Sequence, residues 1–210
     1  MPGLAANSKI FEYTSLPEDL FELHYLAWIL PTSIDETIES YAKRMCEFIQ
    51  EKNPVLIGVS FGGILVQEMS KIIHVQKVII ISSIKNNSEL PKRLQLAKVT
   101  KTYKLFPANH ISNIESFISL VFSTMAQKRI TQYRMFLSVR DPLYLNWAIH
   151  HVLHWNQTET LSNVIHIHGT KDEIFPIKNI LNCIEIEDGS HIMILNKGKK
   201  ISTILINKLM

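Results

Sequence analysis

Gly58-Val59-Ser60-Phe61-Gly62, followed by Gly63, is the segment of this sequence whose residue types and spacing point most directly to chemistry. A serine held on a sharp turn between a strand and a helix projects its hydroxyl clear of the backbone, and glycines on either side let the two elements approach closely. That hydroxyl is a poor nucleophile at neutral pH until a base removes its proton, and the base needs a carboxylate to orient it. For a serine on such a turn the acid and then the histidine follow in the chain, each on a loop after a later strand. Two segments have this form. His168-Gly169-Thr170-Lys171-Asp172 follows an apolar run and offers Asp172, and Gly189-Ser190-His191 follows another and offers His191. A Gly-rich turn that only packs tightly, or that cradles a phosphate at the helix N-terminus, is the competing reading of 58–63.

The elements that must position these groups are legible as alternating runs. Apolar, β-branched strands are predicted at 54–60, 77–83, 161–168 and 183–187, and a further strand at 21–28, where apolar and polar residues alternate at first. Helical spacing predicts helices over about 32–50, 61–73 and 199–208, with a short helical stretch around 8–13 after an opening loop. Strands alternating with helices argue for a parallel α/β sheet. From Leu90 to Glu159 the pattern turns helical, with stretches at about 90–102, 111–121, 124–139 and 142–154 broken at Pro107 and Asp141-Pro142. A helical insertion of this kind, placed at 88–160, is expected to act as a cap over the carboxyl ends of the strands.

Composition bounds the rest. The chain has 210 residues, enough for one well-buried domain spanning 1–210. Its 46% hydrophobic and 20% charged residues are those of an ordinary globular protein, and a net charge of +3 with scattered basic residues points away from nucleic acid. Cys46 and Cys183 make no disulfide framework and no Cys-x-x-Cys pair, so buried thiols are expected. No run reaches membrane-spanning length, and the N-terminus lacks the basic start and apolar stretch of a signal peptide. A cytoplasmic location is expected, with no membrane partner. The sequence leaves the oligomeric state open.

Together, Gly-Val-Ser-Phe-Gly-Gly, His-Gly-Thr-Lys-Asp-Glu-Ile-Phe-Pro and Gly-Ser-His-Ile-Met-Ile-Leu resemble the α/β-hydrolase family, in particular small uncharacterised bacterial members. The resemblance spans nearly the whole chain, with 90–160 matching only as a variable cap. It implies an α/β-hydrolase fold, a mainly parallel, doubly wound sheet with a helical cap. It also implies Ser60 as nucleophile, Asp172 as acid, His191 as base, and the backbone N–H groups of Phe61 and Leu4 as an oxyanion hole. The expected reaction is hydrolysis of a small or medium hydrophobic ester or thioester with water and no cofactor. Alternatives within the fold are a catalytically silent binding module and triad-dependent lyase, haloperoxidase-like or C–C hydrolase chemistry; a flavodoxin-like or nucleotide-binding protein is a third reading.

Two departures shape the expectations. In the family the early loop follows a core strand, whereas this sequence opens on the loop, Pro2-Gly3-Leu4. The first core strand is therefore expected to be missing, leaving a gap between 21–28 and 54–60, with Met1 an internal methionine of a longer chain; otherwise those two strands pair directly and the loop is displaced. The short stretch from Asp172 to His191 leaves Glu173 and Asp141 as fallback acids. His150, His151 and His154 share a predicted helix, and His166 and His168 one side of a strand; structural roles are expected for all five, with no metal. Trp147 and Trp155, with their aliphatic neighbours, read as core, although Met125, Phe136 and Trp147 could supply pocket wall. Ser82 and Ser83 read as a strand-terminal turn.

Overall fold

The structure, a computed structural model, describes residues 1–100 and 135–210. The predicted helix at 111–121, most of that at 124–139, and Met125 lie outside the described residues. Four short strands, β1 (Val55–Val59), β2 (Lys77–Ile81), β3 (Val164–Gly169) and β4 (Ile184–Ile186), form a parallel sheet in the order β1-β2-β3-β4. Val55 lies opposite Lys77, Val78 opposite Val164, and Ile167 opposite Ile184.

Alternation along the strands divides the core between the two faces of the sheet. Leu56, Val78 and Ile80 pack with α1 (Ile38–Cys46) and α2 (Phe61–Met69) on one face. Val59, Ile79, Ile81, Ile167 and Ile186 face the other, against the short 3-10 turn at Ser8–Phe11, α5 (Met193–Asn196) and α6 (Gly198–Leu209). Both faces are covered, which is why the strands read as nearly continuous apolar runs. Between β2 and β3 lie α3 (Lys92–Thr100) and α4 (Pro142–His154). Proline at the first position and an Asp141 side chain accepting from Leu143 and Tyr144 N–H start α4.

Several sequence expectations need correction. Phe21–Trp28 forms no strand, because its backbone bonds to no neighbouring strand; among the described residues β1 is an edge of the sheet. The helix expected over 32–50 begins only at Ile38. The Glu36 carboxylate accepts from Thr32 N–H (2.6 Å) and from the Arg44 guanidinium (2.8 Å), and Thr37 Oγ1 caps Ser40 N–H (3.1 Å), so 32–37 is spent on a turn and a cap. Residues 136–139 are not helical: Asn7 N–H donates to Phe136 C=O (2.8 Å) and Ser138 N–H to Ala5 C=O (2.9 Å), tying this segment to the N-terminal loop.

No helix among the described residues is long and apolar enough to cross a membrane. Trp147 of α4 is fully buried among Tyr41, Tyr144 and Phe61, and its indole N–H donates to Glu36 C=O (2.7 Å). The aromatic face of α4 thus continues the main core. Phe136 is buried on the opposite side, in the cluster around α6.

Candidate active site

Ser60 sits between the last residue of β1 and the first of α2 with φ 52° and ψ −118°, a backbone conformation that L-residues with a Cβ rarely hold. The chain tolerates it because the flanking positions leave no room for anything larger. A Cβ on Gly58 would stand 2.3 Å from Gly62 C=O, and one on Gly63 would stand 2.5 Å from Ser83 Oγ. Ser60 N–H donates to Ile81 C=O (2.9 Å), and Ser83 Oγ–H donates to Ser60 C=O (2.7 Å), so both backbone groups of the strained residue are anchored to the end of β2. A serine before a helix ordinarily turns its hydroxyl onto the first-turn amides. Ser60 makes no such cap.

Its hydroxyl is engaged elsewhere. Ser60 Oγ lies 2.8 Å from Nε2 of His191, and His191 Nδ1 lies 2.9 Å from Oδ2 and 3.1 Å from Oδ1 of Asp172. A carboxylate only accepts, so Nδ1 carries the proton and Nε2 presents its lone pair to the serine O–H. Asp172 is buried, and its Oδ1 also accepts from the N–H groups of Ile174 (2.8 Å) and Phe175 (2.9 Å). The Phe175 ring meets the His191 imidazole edge-on with centroids 5.5 Å apart, fixing the plane of the ring.

The short separation of acid and base is accommodated by fastening their loops together. Gly169 and Gly189 touch so closely that a Cβ on Gly169 would stand 2.2 Å from Gly189 C=O. Lys171 N–H donates to Gly189 C=O (2.8 Å), Asp188 N–H to Thr170 Oγ1 (2.9 Å), and Lys171 Nζ pairs with Asp188 at 2.5 Å. Of the fallback acids, Asp141 caps α4, and Glu173 contributes its carbonyl to Arg93.

Behind the acid lies a buried pair of histidines, His166 and His168, to which the sequence reading assigned structural roles. His168 Nε2–H donates to Phe175 C=O (2.8 Å) and lies 3.5 Å from Asp172 Oδ2, while His168 Nδ1 accepts from His166 Nε2–H (3.0 Å). Burial pushes both histidines below the usual imidazole range, His166 well below it, which keeps them neutral donors at pH 7. On α4, His151 Nε2 donates to Glu36 C=O (3.0 Å) and His154 Nδ1 to His150 C=O (2.9 Å). No group of acidic, histidine and cysteine side chains that could hold a metal occurs among the described residues.

Phe61 opens α2, so its backbone N–H is one that the helix itself leaves unbonded. Leu4 is half-buried in the 1–5 loop, which lies against the serine turn: a Cβ on Gly62 would stand 2.3 Å from Pro2 C=O and 2.7 Å from Met1 C=O. Trp28 Nε1–H donates to Gly3 C=O (2.9 Å), and Ala5, at φ 59°, donates its N–H to Tyr144 Oη (3.2 Å). Since both obstacles to a Gly62 side chain are backbone, Gly62→Ala is expected to push the loop outward. A melting temperature about 5 °C lower would follow from overpacking of about 1–3 kcal/mol. Thermal denaturation checks this, and an unchanged midpoint would refute it. Sequence reasoning missed the Ser83 brace; a polar residue closing the strand next to the serine turn was its only signal.

The arrangement matches solved structures of one architecture. A thermophilic esterase from Thermogutta terrifontis, with malate bound, has a TM-score of 0.67 at 12% identity, covering 99% of this chain and 87% of that one. A point mutant of an epoxide hydrolase from Bacillus megaterium, with its product, has a TM-score of 0.66 at 17% identity, covering 100% and 91%. An esterase from a Rhodococcus species has a TM-score of 0.57 at 12% identity, covering 99% and 87%. No family model and no curated protein matches the sequence. The fold is the α/β-hydrolase fold.

Proposed function

We propose that the protein is a serine hydrolase acting on a small or medium hydrophobic ester or thioester through an acyl-enzyme. The observation that carries this reading is the unbroken line of hydrogen bonds from Ser60 Oγ through His191 to Asp172, starting at a residue held in a strained conformation. In the first half-reaction Ser60 Oγ attacks the carbonyl carbon as its proton passes to His191 Nε2. Negative charge develops on the carbonyl oxygen, where the N–H of Phe61 and that of Leu4 stabilise it; each such donor contributes about 3–4 kcal/mol in comparable sites. The tetrahedral intermediate expels the alcohol or thiol, which leaves with the proton from His191. Water then attacks the acyl-Ser60 ester, giving its proton to His191, and collapse releases the carboxylic acid and restores the serine. Asp172 stays ionised throughout and holds the imidazole in the required tautomer.

Two of the similar structures are named as esterases, which agrees with an ester substrate. A fluorophosphonate probe tests the reading, because it phosphonylates only an activated serine. Labelling of the wild type and none of Ser60→Ala is expected. A folded wild type that takes no label would make the protein a binding module instead.

A further inference from the structure

The acid loop after β3 makes little use of its own backbone. Among the described residues, the carbonyls of Glu173, Ile174 and Phe175 accept from no backbone N–H, and Pro176, which follows, has no N–H to give. The N–H groups of Ile174 and Phe175 are taken by Asp172 Oδ1 (2.8 and 2.9 Å), so the carboxylate that orients His191 also folds the loop around itself. Where the loop sits therefore decides where Oδ2 points. That oxygen is the one 2.9 Å from His191 Nδ1.

Two side chains from elsewhere in the chain take up the three carbonyls. The Arg93 guanidinium, in the first turn of α3, donates from Nη2 to Glu173 C=O and to Ile174 C=O (3.2 Å). Its neighbour Leu94 is buried in the main core and anchors that turn. His168, fully buried on β3, donates from Nε2 to Phe175 C=O (2.8 Å), and the same nitrogen lies 3.5 Å from Asp172 Oδ2. A carbonyl only accepts, so Phe175 by itself fixes the His168 proton on Nε2.

We propose that Arg93 and His168 are positioning residues for Asp172, holding 173–175 from two separate elements so that the carboxylate keeps its aim on His191. The proposal rests on the hydrolase reading and extends it beyond the triad. Neither side chain touches the reacting atoms; each acts through the loop. His166 and His168 part company at this point. Both are buried on one face of β3, but only His168 bonds to the acid loop, while His166 Nε2–H donates to His168 Nδ1 (3.0 Å). Packing alone would make the two histidines equivalent, whereas positioning makes only His168 matter to the reaction. Because α3 opens the segment after β2, the grip of Arg93 also ties that segment to the acid.

The test measures kcat, KM, melting temperature and the low-field proton resonance of His191 Nδ1–H, which reports its bond to the carboxylate. His168→Phe keeps a ring and loses the donor. Its kcat is expected to fall about 100-fold at unchanged KM, the effect of a misplaced catalytic group, and the resonance should move upfield. His168→Gln, whose amide can reach Phe175 C=O, should recover most of that loss. Arg93→Met should lower kcat about 10-fold and move the resonance the same way, with Arg93→Lys recovering part of it. His166→Phe is the control: it should cost stability but leave kcat and the resonance alone. Unchanged kcat and resonance in folded His168→Phe, or an equal fall in kcat for His166→Phe, would overturn the proposal. If His168→Phe does not fold, Arg93→Met, at an exposed position, carries the test, and an unchanged kcat and resonance there would overturn it. If the wild type takes no fluorophosphonate label, the hydrolase reading falls. A resonance that still moves in His168→Phe, and not in His166→Phe, would then uphold the positioning of Asp172 on its own.

Discussion

Replacing His191 with alanine is expected to lower kcat on an ester substrate by about 10⁶-fold, close to everything the serine machinery contributes. With Nε2 2.8 Å from Ser60 Oγ, the proton has a place to go as the bond to carbon forms. Without it, the hydroxyl must lose its proton to water, and the proposed amide donors of Phe61 and Leu4 would act on a reaction that rarely starts. His191 is 8% exposed and packs on Phe175, so truncation also opens a space. His191→Gln, which fills more of it, serves as the control and should lose activity to the same extent with a smaller fall in melting temperature. Ser60 and His191 act as one unit, so the Ser60→Ala/His191→Ala double variant should be no slower than either single variant. Kinetics on folded protein check both points; a drop of less than tenfold for His191→Ala would rule out the proposed general base.

Asp172→Asn is expected to cost about 10⁴-fold in kcat with little change in stability. One oxygen still accepts from Ile174 and Phe175 N–H, so the loop keeps its shape. The other position, now at Nδ1 of His191, becomes an N–H₂ donor. The imidazole answers by moving its proton to Nε2, where it points at the serine hydroxyl and can no longer take a proton from it. The neutral His168, 3.5 Å from Oδ2, cannot replace the lost charge. Steady-state kinetics, with a melting curve showing an intact fold, make the measurement. Retention of more than about a tenth of wild-type kcat would show that another group orients the base.

The parts of the site that were legible in the sequence are those encoded locally. Glycine at 58, 62 and 63 around a serine, between an apolar run and a helical one, specifies a turn from a few adjacent residues. The end of β3 and the loop after β4 carry their own glycines at 169 and 189. What was not legible depends on partners distant in the chain. Phe21–Trp28 alternates as a strand would, but a strand exists only where another backbone meets it, and no periodicity records that partner. The stretch 32–37 has helical spacing and acidic residues, yet Arg44 draws Glu36 into a turn that delays the helix. Spacing alone also made the interval from Asp172 to His191 look too short, because the contact of Gly169 with Gly189 is a property of two loops at once.

The strands lie side by side in the order in which the ribosome makes them. β2 and Ser83 brace the serine turn from close by in the chain, whereas the imidazole that meets the Ser60 hydroxyl comes more than a hundred residues later, on the loop after β4. That hydrogen bond therefore requires all four described strands to be in place, while the turn itself leans only on its immediate neighbour in the sheet.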